Sequence, residues 1–530
     1  MGIAALLVSA TGCVSTKTRY SLADTTTPYG ESYAIVISET TDADTGWHEV
    51  TNALLEKHPG ATLVRHKERL DTPEGSEEVR TQLAKLMPLH TAFVTQPAEC
   101  GRDIIAAIHR LTRKLDDDPW LDTRWGVITG ATAADALRVA KATAPLAIRS
   151  ALSTTALNSD LFEEHYLIRD TSPAGQWFWK KPRDPETAMR PDPETGNFKD
   201  SREDTAAFAQ HFANNPDLIV TSFGGFENGV EMPFSRGLLR VWHDGRLYPF
   251  TDIRQIRPAN DSPPLPDSAS PKVYLPVRTC LAGHVNDANC LVTSMMGNYG
   301  VNQLAGYTVD TWFGRGGLGM LSLWQDYPGE NTLGAAFFLN QQWMLHDLAE
   351  IDPDALNYKI QLGAGEVKIQ HHLGDMLNSG LKFDPRNVLR NNKSPDHQLA
   401  GLLWDIDTLA FYGDPAWKAT LRLPPGATPP YTAYLDSTNN HHTLHIKILN
   451  RAQLAQTKTP LGFIFGTRIE NPRLLTGSEY NPMLADNFLL LLNPAPPATD
   501  DKITIEFEGA PLPHPPPSPS PPPRKIAASE

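Results

Sequence analysis

From Tyr33 to about residue 145 the chain alternates short apolar, β-branched runs with longer stretches of helical period, and this alternation limits the fold more than any other feature. "YAIVISET", "ATLVRH", "TAFVTQP" and "WGVITG" read as strands. "GWHEVTNALLEKH", "EEVRTQLAKLMPLH", "RDIIAAIHRLTRKL" and "AADALRVAKATA" read as the helices between and after them. Strands linked by helices of this length form parallel sheets, because a parallel crossover needs a dozen or more residues and its helices then bury both sheet faces. The expected class is α/β with a mostly parallel sheet and flanking helices. The pattern resumes in "DLIVTSFGG", "KVYLPVRT" and "LAGYTVDTWFG", with "TLGAAFFLNQQWMLHDLAEI" as the clearest later helix. "LLRVWHDGRLYPF" reads as a hairpin turning at Asp244-Gly245.

A chain of 530 residues exceeds what one core fills, since cores stop growing at roughly 250–300 residues. The α/β region is expected over 31–417, with an N-terminal subdomain over about 31–150 and a second over 205–417. Between them, 169–204 is dense in Pro, charge and aromatics and reads as a surface insertion. Beyond Trp417, "YTAYLDS", "HHTLHIKIL", "LGFIFGTRI", "FLLLLN" and "KITIEFEGA" are short strands with turn signals between them, expected as a small β-sandwich over 418–510. Residues 511–530 form a Pro-rich tail of polyproline character.

Residues 1–13, "MGIAALLVSATGC", are apolar and end in small residues before Cys13, which resembles a bacterial lipoprotein signal. On that reading Cys13 is lipidated, 14–30 is a Thr- and Ser-rich tether, and the protein sits in the bacterial cell envelope, touching membrane only through its anchor. A buried apolar first element is the alternative, since no Lys or Arg precedes the run. No later run is long enough to span a membrane. The net charge of -14, without a basic block, argues against nucleic acid as a partner. Four cysteines (Cys13, Cys100, Cys280, Cys290) are too few for a disulfide framework, so the fold rests on packing.

"SPKVYLPVRTCLAGH" brings Cys280 to the end of a buried strand, where ligands and catalytic groups gather in open α/β sheets. A thiol there needs a helix N-terminus, an imidazole, or both, to become a nucleophile. Position alone leaves two readings, nucleophile or small buried hydrophobe. Cys290, in a helix expected to be capped by Asn286 or Asp287, reads as core.

"PKVYLPVRTCLAGHVNDANCL", followed by "GVNQLAGYTVDTWFGRGGLG" and "DIDTLAFYGDPAW", resembles the gingipain family of cysteine peptidases, which share the caspase-type α/β fold. "YAIVISETTDADTGWHEVTNALLEKHPGATLV" and "RWGVITGATAADALRVA" are similar to a bacterial envelope branch of that family, so the resemblance spans roughly residues 30 to 420. It implies Cys280 as thiol nucleophile, a peptide or protein substrate, and no cofactor or metal. It also implies a histidine after the preceding strand, yet "DLIVTSFGGFENG" has Gly224 at that position and no His between His211 and His243. His284 is the local candidate for the base, with loop capping as its plainer role. The backbone of Gly224 and Gly225 is the candidate oxyanion donor, and Asp310 and Trp312 are the candidate pocket wall. Two functions therefore stay open: a cysteine endopeptidase impaired by the missing histidine, and an inactive homologue that binds or scaffolds at the envelope.

Three further signals fail their context tests. "GRGGLG" at 314–319 has G-x-G-x-x-G spacing but no clear helix after it and no partner carboxylate. "HHTLH" at 441–445 and "QHH" at 370–372 lack three convergent ligands. "WFWKKPR" at 177–183 stays unassigned.

Overall fold

A computed structural model describes residues 16–20, 32–168, 177–180, 190–191, 204–233, 237–250, 252–258, 262–363, 367–424, 426–494 and 501–512. The chain divides into two compact units: Thr27–Ala427 with His514–Glu530, and Met1–Thr26 with Thr428–Pro513. The expected lipidation site Cys13, most of the 169–204 insertion and nearly all of the 511–530 tail lie outside the described residues. Among the described residues no helix is long and apolar enough to cross a membrane.

The first strand, β1 (Thr16–Tyr20), falls inside the segment expected to be a free tether. The α/β unit then builds β2 (Tyr33–Ser38), β3 (Thr62–His66), β4 (His90–Val94) and β5 (Arg124–Ile128). It continues with β6 (Ser150–Ser153), β7 (Glu164–Ile168), β8 (Leu218–Thr221), β9 (Lys272–Pro276), β10 (Val301–Tyr307) and β11 (Leu409–Tyr412). These strands lie in one sheet in the order β7-β6-β8-β9-β10-β11-β5-β4-β2-β3. Trp177–Lys180 pairs antiparallel with β7 and in turn with the short outer strand Arg190–Pro191, and Trp179 stacks on Tyr166.

The parallel sheet expected from the βα alternation is present as two parallel halves. β7, β6, β8, β9 and β10 are mutually parallel, and so are β11, β5, β4, β2 and β3. β10 and β11 pair antiparallel where the halves meet. The carboxyl ends of the two halves therefore face opposite edges, and the thiol belongs to the β8-β9-β10 edge.

Helices α1 (Glu39–Ala43), α2 (Thr45–Lys57), α3 (Pro73–Leu86), α4 (Arg102–Leu111) and α5 (Ala133–Ala140) connect the first half. Their starts are capped as the sequence chemistry directs: Asp44 accepts from Gly46 and Trp47, and Thr132 forms a capping box with Asp135. The second half carries α6 (Asp204–Phe212), α7 (Leu291–Asn298), α8 (Arg315–Asp326) and α9 (Leu333–Ile351). α10 (Ile369–Asn378), α11 (Pro385–Arg390) and α12 (Pro395–Asp405) then pack Met376, Val388, Leu399 and Leu402 against Met344 and Leu348 of α9. Trp312 and Phe313, just beyond the thiol's contacts, pack on this helical cluster.

The other unit holds two antiparallel sheets; Ala419–Leu421, inside the 418–510 stretch expected as a β-sandwich, pairs instead with Leu146–Ile148 of the α/β unit. β12 (Tyr431–Thr438), β13 (His441–Ile448), β15 (Ile469–Thr476) and β18 (Lys502–Pro511) form one sheet with β1. β14 (Leu461–Ile464), β16 (Pro482–Leu484) and β17 (Phe488–Leu491) form the other. Alternation in β12 and β13 buries Leu435, Leu444 and Ile446 and leaves Tyr434 and Lys447 outward.

Candidate functional site

β9 is buried along its length between β8 and β10, and the chain turns away from the sheet at its carboxyl end. Leu281, directly after Cys280, adopts φ 57°, a left-handed conformation unusual for a residue with a branched side chain. The surroundings hold it there. Leu281 N–H donates to Val309 O (3.1 Å), Gly283 N–H to Tyr307 O (2.9 Å) and His284 N–H to Leu281 O (2.8 Å). Tyr412 Oη donates to Gly283 O (2.7 Å). A Cβ at residue 283 would lie 2.1 Å from Gly306 O, so only glycine lets the loop lie on β10 this closely.

This turn leaves Cys280 half-buried and free of any disulfide, as Cys100 and Cys290 are. Its sulfur accepts a hydrogen bond from Thr311 N–H (3.2 Å). Burial pushes the Cys280 thiol up from its ordinary value, the Thr311 N–H opposes this, and the Asp310 carboxylate adds to the rise. Neutral thiol is the favoured form. Among the described residues no imidazole is hydrogen-bonded to the sulfur.

His284 points into a different set of contacts. Its Nδ1 lies 3.1 Å from Arg102 Nη2 and 3.4 Å from Glu227 Oε1, and its Nε2 lies 3.5 Å from Arg102 Nε. A guanidinium can only donate, so Arg102 engages the one imidazole lone pair. The two Nδ1 contacts need opposite tautomers: an Nδ1–H donates to Glu227 and leaves the Nε2 lone pair facing Arg102 Nε, whereas an Nδ1 lone pair accepts from Arg102 Nη2; in both, the lone pair faces the guanidinium. The His284 hydrogen bond, with Arg102 nearby, holds the Glu227 carboxyl below the usual carboxylate range although burial opposes it. Burial lowers the Arg102 guanidinium.

The two glycines after β8 have separate structural reasons. A Cβ at residue 225 would sit 2.4 Å from Thr279 Cγ2 and 3.3 Å from Cys280 O, so Gly225 lets the following hairpin approach the thiol loop. A Cβ at residue 224 would sit 2.3 Å from Glu231 Oε2. The carboxylate of Glu231 thus occupies the space into which a longer side chain at 224 would extend. Asp310 is exposed, and its carbonyl accepts from Trp404 Nε1 (2.8 Å). Trp312 stacks at a tilt against His397 (5.0 Å between ring centres). Both flank Thr311, whose amide holds the sulfur.

Several sequence signals have structural explanations. "GRGGLG" does start a helix, contrary to expectation: Gly314 precedes α8 in a left-handed conformation. Its amides serve an internal carboxylate, with Gly316 N–H donating to Asp405 Oδ2 (2.8 Å) and Gly317 N–H to Tyr307 Oη (2.9 Å). Tyr307 Oη donates in turn to Asp405 (2.9 Å). The helix N-terminus that would otherwise attract a phosphate is filled by Asp405. His372 is bonded to Tyr358 Oη and Ala400 O, His442 to Ser437 Oγ and Gly509 O, and His445 stacks on Tyr434. Cys290 is buried but caps α7 rather than lying inside it. Asn286 and Asp287 precede that cap.

Arg102, Glu227, Glu231 and Thr311 escaped the sequence reading. Arg102 and Thr311 follow strand ends, β4 and β10, which was their only signal; Glu227 lies in a short hairpin turn and Glu231 ends its second strand, and neither gave any.

No family model matches the chain, and no curated protein matches it. Among solved structures it is similar to the Arg-specific cysteine proteinase gingipain R, at 11% identity over 81% of this chain and 91% of that one, with a TM-score of 0.40. It is also similar to a structure described as a protease, at 10% identity over 80% of this chain and 90% of that one, with a TM-score of 0.36. Likenesses at this level assign neither activity nor residue roles.

Proposed function

We propose that the chain is a gingipain-like, peptidase-fold protein whose thiol site binds peptide or protein segments without hydrolysing them, working as a scaffolding lipoprotein of the bacterial envelope. The observation that carries this reading is the environment of Cys280: its sulfur is bonded to a backbone N–H, no imidazole among the described residues is bonded to it, and burial raises its pKa. Thiol attack needs thiolate and a proton acceptor, and the local histidine is committed to Arg102 and Glu227. Loss of a general base costs about 10²–10⁴ in rate.

The endopeptidase reading keeps one observation in its favour: the Thr311 N–H aimed at the sulfur stabilises negative charge there as well as a neutral acceptor. The two readings separate in one assay. Purified protein and Cys280→Ala are incubated with a fluorogenic peptide library, and peptide binding is measured in parallel by polarisation. The binding reading expects no cleavage above the Cys280→Ala background and saturable binding by both proteins. Turnover that disappears in Cys280→Ala overturns it.

A further inference from the structure

β1 precedes the α/β unit in the chain but belongs to the sheet of the C-terminal unit. It pairs antiparallel with β12 over five residues, from Thr16 opposite Ser437 to Tyr20 opposite Ala433. In the sheet order β1-β12-β13-β18-β15 it is an outermost strand. Its sequence suits an edge: Thr16, Thr18 and Tyr20 favour extended backbone, and Lys17 and Arg19 are charges of the kind that discourage edge-to-edge association. The compact units agree, grouping Met1–Thr26 with Thr428–Pro513.

This pairing changes what the N-terminal segment can be. A free tether over 14–30 would reach roughly 60 Å when extended, at about 3.6 Å per residue. With β1 docked, only three residue steps separate Cys13 from Thr16, a reach of roughly 11 Å. Resting on the lipoprotein reading of Cys13, we propose that β1 is a clasp that holds the C-terminal β unit against the lipid surface. The partner is the bilayer surface itself.

The test uses full-length protein produced in a lipidating bacterial host with labelled palmitate. Arg19→Cys with Tyr434→Cys, which face each other across the ladder, should close as an intramolecular disulfide in most molecules, read by mass spectrometry of the linked peptides. In a Cys280→Ala background, a fluorophore at Asn440→Cys, in the exposed turn beside the Thr16 end of the ladder, should be quenched by a dinitrophenyl lipid in phosphatidylcholine vesicles. Quenching should fall at least threefold when Lys17→Pro and Thr18→Pro are added, because one of two adjacent strand N–H groups must face the partner and proline removes it. Absence of palmitate on Cys13 overturns the lipoprotein reading and the proposal with it. Palmitate present without the cross-link, or with quenching unchanged by the prolines, overturns the clasp alone.

Discussion

Asp414 and Cys280 both follow the end of a buried strand, and they differ in how their burial is matched. Asp414 is fully buried and accepts from Tyr33 Oη (2.9 Å), His58 Nε2 (2.9 Å), Lys57 Nζ (2.7 Å) and the Ala416 N–H (2.8 Å). Burial would raise its carboxyl, yet His58 and Lys57 hold it far below the usual range. Cys280 is only half-buried, has one amide for its sulfur, and titrates upward. A polar group surrounded by partners on several elements is a fastening; one held by a single amide on a strained, partly open turn contributes little to stability and stays accessible to a ligand. The first joins β2, α2 and the segment after β11, and the second is free to make contacts outside the chain.

The largest expected effect follows from breaking the fastening. Asp414→Ala leaves Lys57 without its carboxylate partner and should cost about 3–5 kcal/mol, the usual penalty for removing one side of a buried ion pair. Urea unfolding measures it, and a loss below about 1 kcal/mol would remove the contrast with Cys280.

A second effect is in the pH profile of stability. Burial would raise Asp407, but Arg113 and Arg110 hold it down to about 2. A depressed folded pKa gives stability that is present above the unfolded value near ~3.9 and lost as pH falls toward 2, on the order of 2 kcal/mol. Burial pushes Asp405 and Glu330 up to about 7. Their contribution is complete below the unfolded value and is lost as pH rises through 7. Burial also lowers His109 and His372 to about 4 and His165 to about 3, so their contribution is lost as pH falls below the unfolded value of about 6.5, and stability should be highest between about pH 6 and 7. Thermal melts from pH 2 to 9 check both arms, and Asp405→Asn should flatten the arm between pH 5 and 8.

Smaller effects probe the thiol edge. Gly224→His forces its side chain against Glu231 and should cost about 1–3 kcal/mol, as overpacking usually does. Pairing it with Glu231→Ala should recover most of that loss in the same unfolding assay. Cys280→Ala should change stability by less than about 1 kcal/mol, since it removes one weak acceptor from a half-exposed site. A larger loss would place Cys280 among the fastenings.

The fold was largely legible in the sequence where periodicity carried it. "YAIVIS", "GWHEVTNALLEK" and "TLGAAFFLNQQWMLHDLAEI" became β2, α2 and α9 with boundaries close to those expected. The reversal of direction between the sheet halves was not legible, because a strand's own pattern does not record which way its neighbour runs. β1 was missed for a similar reason: "TKTRY" is polar, and only pairing with β12, more than 400 residues later, makes it a strand. In the site, Cys280 at a strand end and the unusual Gly224 could be read directly. What faces them could not, since Arg102, Glu231 and Thr311 reach the thiol region through tertiary packing alone.

The central claim is that Cys280 is an unactivated thiol, and the pH dependence of its alkylation by iodoacetamide tests this most directly, with Cys280→Ala as control and labelled peptides identified by mass spectrometry. The account predicts slow labelling at neutral pH, rising with a midpoint above the free-thiol value of about 8.5. Rapid labelling that is already at its plateau by pH 6 to 7 would mean a stabilised thiolate and would contradict it.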